Sequence, residues 1–125
     1  MSENDRSLKI AACAVICNLV LDFSPMRKII VEKNVISILV RMANETDHVT
    51  RLNALWAFKN LVYQAEAEVK KSVSRALTFK KLQELMEDPD VDIQAQSLNI
   101  LRNLTCGKKS VFHLKLIPSG NSKCH

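Results

Sequence analysis

The sequence predicts an all-α fold, and three observations support that prediction. The chain has 125 residues but only two glycines and three prolines, whereas β-sandwiches and barrels need turn residues about every 8–12 positions. Apolar residues recur at helical spacing in several segments. A stretch of about 42 residues also repeats along the chain, as in helical repeat arrays. The two glycines are isolated, so the glycine-rich loops of nucleotide-binding folds are excluded.

The repeat is anchored by an Asn-Leu pair that occurs three times. The asparagines are Asn18, Asn60 and Asn103, which are 42 and 43 residues apart. We number positions from this Asn, so that position −5 lies five residues before it. Three apolar columns, at −5, −2 and +1, share one side of a helix and predict a buried stripe. Their members are Cys13, Ile16 and Leu19, then Leu55, Phe58 and Leu61, then Leu98, Leu101 and Leu104.

Two further columns support the same alignment. Position −6 always holds a small residue, as expected where two helices approach closely: Ala12, Ala54 and Ser97. Position −13 always holds an aspartate: Asp5, Asp47 and Asp90. An aspartate at the start of a helix can cap its free amides and complement the positive end of its dipole. Each Asn-Leu segment is therefore predicted to be a long helix that begins close to this aspartate.

Two shorter helices are predicted between successive long helices. Ser24 and Pro25 form a cap followed by a proline at the first helical position. A helix runs from there through Lys33, and Asn34 is a left-handed stop. A second helix covers 35–44, and its apolar face consists of Ile36, Leu39, Val40 and Ala43. The next unit repeats this pattern with helices at 65–75 and 78–87, and residues 88–90 form the turn into the long helix.

These elements divide the chain into an array and a tail. Residues 1–106 form the array, which consists of a third helix at 5–22, a repeat at 24–64 and a repeat at 65–106. Residues 107–125 do not continue the repeat columns. We predict that they form a flexible, irregular and basic tail.

The net charge of +5 belongs to the tail. The segment 107–125 has four lysines and no acidic residue, which leaves 14 basic and 13 acidic residues in 1–106. A nucleic-acid-binding surface requires a basic stripe on the folded part, and the near-neutral array does not provide one. A helical repeat that binds nucleic acid through the basic tail is kept as an alternative hypothesis.

The residues give little support for catalysis or metal binding. The four cysteines include no CxxC spacing, so neither a zinc site nor a redox motif is indicated. Buried thiols such as Cys13 favour a reducing compartment. The apolar run at 10–21 is shorter than the roughly 20 residues that a membrane helix needs. We therefore expect a cytoplasmic and nuclear protein that is not an enzyme and has no cofactor, metal, small-molecule substrate or membrane partner.

The segment 54–61 reads Ala-Leu-Trp-Ala-Phe-Lys-Asn-Leu and resembles the third-helix motif of the armadillo-repeat family. The resemblance covers about residues 5–106. It implies a right-handed α-solenoid of about two full repeats plus a preceding third helix. More narrowly, residues 51–107 are similar to the armadillo scaffold subunits of the CTLH/GID ubiquitin ligase complex. This implies a fragment or short form of a larger solenoid, whose partners are subunits of that complex or extended peptide segments.

In the armadillo family, the third helices line a concave groove that binds partners. The family's Asn hydrogen-bonds the main chain of an extended peptide, and its Trp contacts the peptide's side chains. An amide suits this role because it donates and accepts hydrogen bonds at once. On each long helix, one polar stripe lies roughly opposite the core face. The resemblance therefore implies a partner-binding groove formed by Asn18, Asn53, Trp56, Asn60, Gln64, Gln96, Asn99 and Asn103.

Alternatives to peptide binding remain open at this point. The asparagine column could hydrogen-bond loop backbone inside the array, and Trp56 could pack between neighbouring helices. A nuclear-import-type adaptor is a further alternative. Import receptors, however, flank their Trp-Asn array with acids that receive lysines, and Asp22 is the only acid in the stripes predicted here.

Overall fold

The computed structural model describes the backbone of residues 3–22 and 24–106, and the side chains of residues 4–16 and 28–106. Within these ranges the chain forms α-helices joined by short turns. They are α1 (Glu3–Asp22), α2 (Ser24–Glu32), α3 (Val35–Ala43), α4 (His48–Val62), α5 (Ala67–Leu77), α6 (Phe79–Met86) and α7 (Val91–Thr105). The prediction of an all-α fold is confirmed. The predicted tail at 107–125 lies outside the described residues.

The long helices α1, α4 and α7 pack side by side, with α4 between the other two. The two shorter helices of each unit pack against these long helices, α3 on α4 and α6 on α7. The first short helix of the second unit, α5, also packs against α2 and α3 of the first. Each unit therefore buries its apolar surface partly against its neighbour, as expected for a repeat array.

The helix boundaries agree with the predicted ones within about two residues, which is the usual uncertainty of such boundaries. Asn34 ends α2 in the left-handed conformation, with φ 60° and ψ 20°, as predicted. Gln64 and Thr78 also have positive φ, 49° and 58°. Thr78 is a β-branched residue for which this conformation is unusual, and its Oγ1 accepts a hydrogen bond from the Lys81 amide at 3.2 Å. These turns reverse the chain without glycine.

The aspartates at position −13 cap two of the three long helices. The Asp47 carboxylate accepts a hydrogen bond from the Thr50 amide at 2.9 Å. Asp90 accepts hydrogen bonds from two backbone amides in the first turn of α7, at 2.8 and 3.1 Å. Asp5 is different, because α1 begins before it at Glu3. The capping prediction is therefore confirmed for Asp47 and Asp90, whereas Asp5 lies inside the first turn of its helix.

The core is centred on α4, whose apolar side chains are buried on both sides of the helix. Ala54, Leu55, Ala57, Phe58 and Leu61 all have no exposed surface. At position +1 of α7, Leu104 is 1% exposed. The predicted apolar stripe is thus present in the central helix over its whole length.

The prediction of a buried residue at position −5 is wrong for the last unit. Leu98 is 54% exposed, whereas Cys13 and Leu55, its counterparts in α1 and α4, have no exposed surface. The reason is that α7 has no further long helix on its outer side within the described residues. The small column behaves in the opposite way, because Ala54 and Ser97 are fully buried and Ala12 is exposed.

Two further observations concern chemistry expected from the sequence. Cys13 is a free thiol buried against α3, with its Sγ 3.7 Å from the sulfur of Met42. Cys106, in contrast, is disulfide-bonded, which the sequence analysis did not predict. Among the described helices, none combines the length and the hydropathy needed to cross a membrane.

Candidate partner-binding surface

The predicted stripe on α4 contains one exposed aromatic ring. Trp56 is 41% exposed, so it does not pack fully between neighbouring helices. The ammonium group of Lys59 lies 6.0 Å from the centre of the indole ring, at the outer limit of a cation–π contact. Trp56 therefore presents a flat apolar surface with a positive charge beside it.

The polar residues of the α4 stripe differ in their bonding. The Asn53 amide donates to the Val49 carbonyl at 2.8 Å, one turn earlier in the same helix. Asn60 is half-buried, and its side chain forms no hydrogen bond with the described part of the chain. Gln64 lies beyond the end of the helix, in an exposed turn with positive φ. Among the described residues, therefore, no hydrogen bond engages the donor or the acceptor of the Asn60 amide, which lies one helical turn after Trp56.

Asn103 occupies the same repeat position as Asn60 but is already engaged. Its side chain is 5% exposed, and its Nδ2 donates to the Lys59 carbonyl at 3.1 Å. This is the contact expected if the asparagine column stabilises the array internally, since it joins α7 to the last turn of α4. Binding of a peptide by Asn103 stays a prediction.

The remaining predicted groove residues lie on α7 and α1. Gln96 and Asn99 are half-buried on α7. The Gln96 Oε1 is buried and receives no hydrogen bond from the described part of the chain, which is unusual for a buried acceptor. Asn18 lies in α1, but its side chain is outside the described residues. The helices α4 and α7, which carry these residues, are in contact, and the assignment of the residues to one partner-binding groove stays a prediction.

A set of charged contacts that the sequence analysis missed links successive units. Arg6 of α1 pairs with Asp47 at 2.8 Å, and Lys9 pairs with Glu45. One unit later, Arg51 of α4 pairs with Asp88 at 2.6 Å. We call these contacts the inter-unit ion pairs. Each joins a basic residue on one long helix to an acidic residue in the turn before the next.

The inter-unit ion pairs occupy repeated positions. Lys9 and Arg51 are both at position −9, and their partners Glu45 and Asp88 are both at −15. Arg6 and His48 are both at −12, and they face the −13 aspartates Asp47 and Asp90; the His48 Nδ1 is 3.2 Å from the Asp90 carboxylate. Basic and acidic residues at these offsets were visible in the aligned units, and a search for complementary charges across neighbouring units would have found them.

These contacts lower the pKa values of two carboxyl groups, those of Asp47 and Asp88. The hydrogen bond from Arg6, followed by those from Thr50, lowers the pKa of Asp47 from 3.8 to about 2. The hydrogen bond from Arg51 lowers the pKa of Asp88 below its ordinary value. Both carboxylates are therefore held in the ionised form that the neighbouring arginine stabilises.

One group of side chains has the chemistry of metal ligands. His48, Asp90 and Asp92 place one potential ligand atom each within 4.8 Å of the others. Asp90 already caps α7, and His48 and Asp92 are exposed. The capping bonds and the His48–Asp90 contact account for this arrangement, and the three residues form part of the junction between α4 and α7.

Comparison with known proteins places the chain in a family. The sequence profile of the VID28/GID5 C-terminal domain matches residues 40–118, which include α4 and α7. The chain belongs to this family. The match covers the candidate surface on both helices and continues beyond the array boundary predicted at 106.

Curated relatives of this VID28/GID5 C-terminal domain chain agree with the profile. The chain is 34% identical over 114 residues to armadillo repeat-containing protein 8 of Danio rerio, which is 91% of this chain and 16% of that protein. It is 33% identical over 120 residues to GID complex subunit 5 of Schizosaccharomyces pombe, which is 94% of this chain and 15% of that protein. The chain thus spans about a sixth of the length of these relatives.

Proposed function

We propose that this chain is a non-catalytic interaction scaffold within a CTLH/GID-type ubiquitin ligase complex. In this proposal, the surface formed by α4 and α7 is an armadillo-type groove that binds an extended peptide or a segment of a partner subunit. The family membership supports the coarser part of the proposal, because relatives in this family are named as subunits of a GID complex.

The observation that carries the finer part is the pairing of Trp56 with Asn60 on one helix. Trp56 is 41% exposed, which is large for an aromatic residue next to a fully buried core. Asn60 lies one helical turn further on, and its amide, which no hydrogen bond engages among the described residues, can bind both groups of a peptide unit. An exposed indole beside an unengaged amide suits an apolar side chain and its adjoining main chain.

The experiment compares the loss of a partner when an aromatic residue is removed from the proposed groove and when an equally exposed one is removed elsewhere. The tagged chain is mixed with the purified subunits of a GID-type complex, and captured subunits are quantified. The double variant Trp56→Ala/Asn60→Ala is expected to lose capture while keeping wild-type helicity by circular dichroism. Phe79→Ala is the matched control, since Phe79 is 40% exposed but lies on α6, away from the stripe.

Salt dependence separates this proposal from nucleic-acid binding through the lysine-rich tail. Binding driven by phosphate contacts weakens steeply with salt, whereas capture through Trp56 and Asn60 should change little. Unchanged capture by the double variant, or equal loss in Phe79→Ala, would refute the groove assignment. If raising the salt concentration abolishes binding to nucleic acid but leaves the capture of subunits unchanged, the result supports the groove proposal.

A further inference from the structure

The predicted stripes on α4 and α7 carry two cations at the same repeat position. Lys59 and Arg102 are both at position −1, one residue before the anchor asparagine. On α4 this position shares the stripe of Trp56, because residues three apart lie on one side of a helix, and the Lys59 ammonium is 6.0 Å from the centre of the indole ring. Arg102 is exposed on α7. Each stripe therefore includes a cation that the sequence analysis did not count.

The two cations belong to neighbouring parts of one surface. The Asn103 Nδ2 donates to the Lys59 carbonyl at 3.1 Å, so the backbone at Lys59 contacts the residue that follows Arg102. Both cations lie in the last turns of helices that pack side by side. The axes of packed helices are about 8–10 Å apart, a distance that about three residues of an extended chain span. An extended segment that crosses from α4 to α7 therefore passes both cations.

Neither cation forms an ion pair with a carboxylate in the described part of the chain. The ion pairs described above use other basic residues: Arg6, Lys9, His48 and Arg51. Helix α4 contains no acidic residue, and the single acid of α7, Asp92, lies about 15 Å before Arg102 along the helix axis. Asp22, the one acid in the predicted stripes, lies on α1, and its side chain is outside the described residues. The described surface around Trp56 is therefore positively charged.

The exposure of position −1 does not depend on where the array begins or ends. Lys59 is on α4, which has a long helix on each side, and it is still partly exposed. Trp56, one turn earlier, is 41% exposed in the same surroundings. Position −1 thus stays on the surface of a unit that has both neighbours, unlike position −5, where Leu55 has no exposed surface.

We propose that the surface containing Trp56, Lys59, Asn60 and Arg102 selects an acidic, extended polypeptide segment, an inference that rests on the groove proposed above. Glutamate or aspartate side chains of the segment pair with Lys59 and Arg102, an apolar side chain packs on Trp56, and the Asn60 amide binds the main chain. Complementary charge selects the correct partner and disfavours one of the same charge. A lysine-rich segment, the cargo of an import-type adaptor, is therefore rejected.

Two other roles for these cations predict different behaviour. A cation in the last turn of a helix interacts favourably with the helix dipole, and this stabilises the helix without selecting a partner. A nucleic acid uses many basic contacts, so its binding weakens steeply with salt, whereas binding through two exposed ion pairs weakens only a few-fold. The donor and acceptor of the Asn60 amide match a peptide unit, which favours a polypeptide partner.

Three labelled peptides of about eight residues test the charge preference. They share two leucines and differ at three positions, which are all glutamate, all glutamine or all lysine. Fluorescence anisotropy with the 125-residue chain is expected to show that the glutamate peptide binds about five- to tenfold more tightly than the glutamine peptide at low salt. The lysine peptide should bind most weakly. Equal binding of the three peptides would overturn the charge preference.

Charge reversal locates the effect on the two stripes. In Lys59→Glu/Arg102→Glu the order of the peptides is expected to reverse, and an unchanged order would overturn the proposal. The neutral variant Lys59→Gln/Arg102→Gln should remove the preference, and it gives the same answer if reversal weakens the helix ends. Lys71→Glu/Arg75→Glu is the matched control, because both residues are exposed cations on α5, outside the stripes. Its order of peptides should equal that of the wild type.

Two further results separate this inference from the groove proposal and from nucleic-acid binding. Adding the glutamate peptide, up to millimolar concentration, to the ¹⁵N-labelled chain should shift the NMR signals of the Trp56 indole and the Arg102 side chain. If neither signal moves while Trp56→Ala/Asn60→Ala still abolishes capture of subunits, the acidic preference is wrong and the groove proposal stands. If a single-stranded oligonucleotide of equal charge binds more tightly than the glutamate peptide, the surface selects nucleic acid and this proposal is overturned.

Discussion

The central helix α4 and the last helix α7 carry closely similar residues in different surroundings. Leucine stands at position −5 in both, yet Leu55 has no exposed surface and Leu98 is 54% exposed. The helix α4 has a long helix on each side, whereas α7 has one within the described residues. In a repeat array, the stability contributed by a residue is therefore set by its neighbouring units as much as by its type.

The pair of leucines gives the largest expected effect. Leu55→Ala removes a fully buried side chain and should lower the free energy of unfolding by about 2–5 kcal/mol. Leu98→Ala removes a largely exposed side chain at the same repeat position and should cost less than about 1 kcal/mol. Urea unfolding followed by circular dichroism, at a concentration where the chain is monomeric, measures both. Equal losses would show that α7 is covered as fully as α4.

Asn60 and Asn103, which occupy the same repeat position, allow a second comparison between α4 and α7. Asn103→Ala removes the part-buried hydrogen bond to the Lys59 carbonyl that joins α7 to α4, so the free energy of unfolding should fall by about 0.5–1.5 kcal/mol. Asn60→Ala removes a side chain that bonds nothing in the described chain and should change stability by less than about 0.5 kcal/mol. The same urea titrations provide the measurement. A larger loss for Asn60→Ala would mean that the internal role belongs to Asn60 instead.

The fold could be predicted from the sequence because its determinants are local and periodic. The apolar columns follow the helical period, the aspartates at −13 mark the starts of α4 and α7, and Asn34 marks a turn. The exposure of Leu98 could not be predicted from its column alone, since burial there depends on whether another unit follows. An alignment of units establishes which residues are equivalent, but it does not show which of them have a neighbour.

The helices that carry the candidate residues could be predicted from the sequence, but the bonding of those residues could not. The stripe could be placed on α4 and α7 from spacing, whereas the engagement of Asn103 depends on a carbonyl 44 residues away in sequence. The contact between Lys70 and the Cys106 carbonyl is of the same kind, and burial lowers the pKa of that lysine. Long-range polar contacts of this type depend on the packing angle between helices, which the sequence pattern does not encode directly.

The aspartates at −13 provide a smaller contrast between a capping and a non-capping residue. Asp90→Ala removes two hydrogen bonds to the amides of α7 and should lower the free energy of unfolding by about 1 kcal/mol. Asp5→Ala changes a residue inside the first turn of α1 and not at its N-cap, and the loss of its interaction with the helix dipole should cost about 0.5 kcal/mol. If thermal unfolding ranked the two variants in the opposite order, the assignment of Asp90 as the main cap would be wrong.

Acid titration distinguishes the junction between α1 and α4 from the rest of the array. The pKa of Asp47 is lowered from 3.8 to about 2, mainly by the hydrogen bond from Arg6. Because the unfolded chain then binds more protons than the folded one between these values, the stabilisation from Asp47 is complete above about pH 4 and is lost as the pH falls toward about 2. The difference in urea midpoint between wild type and Asp47→Asn should therefore shrink over this interval.

Arg6→Ala should raise the pKa of the Asp47 carboxyl toward 3.8, as measured by NMR, whereas Arg51→Ala at the next junction should leave it unchanged. If the difference in urea midpoint between wild type and Asp47→Asn stays constant down to about pH 2, the Arg6–Asp47 pair does not hold this junction together in solution.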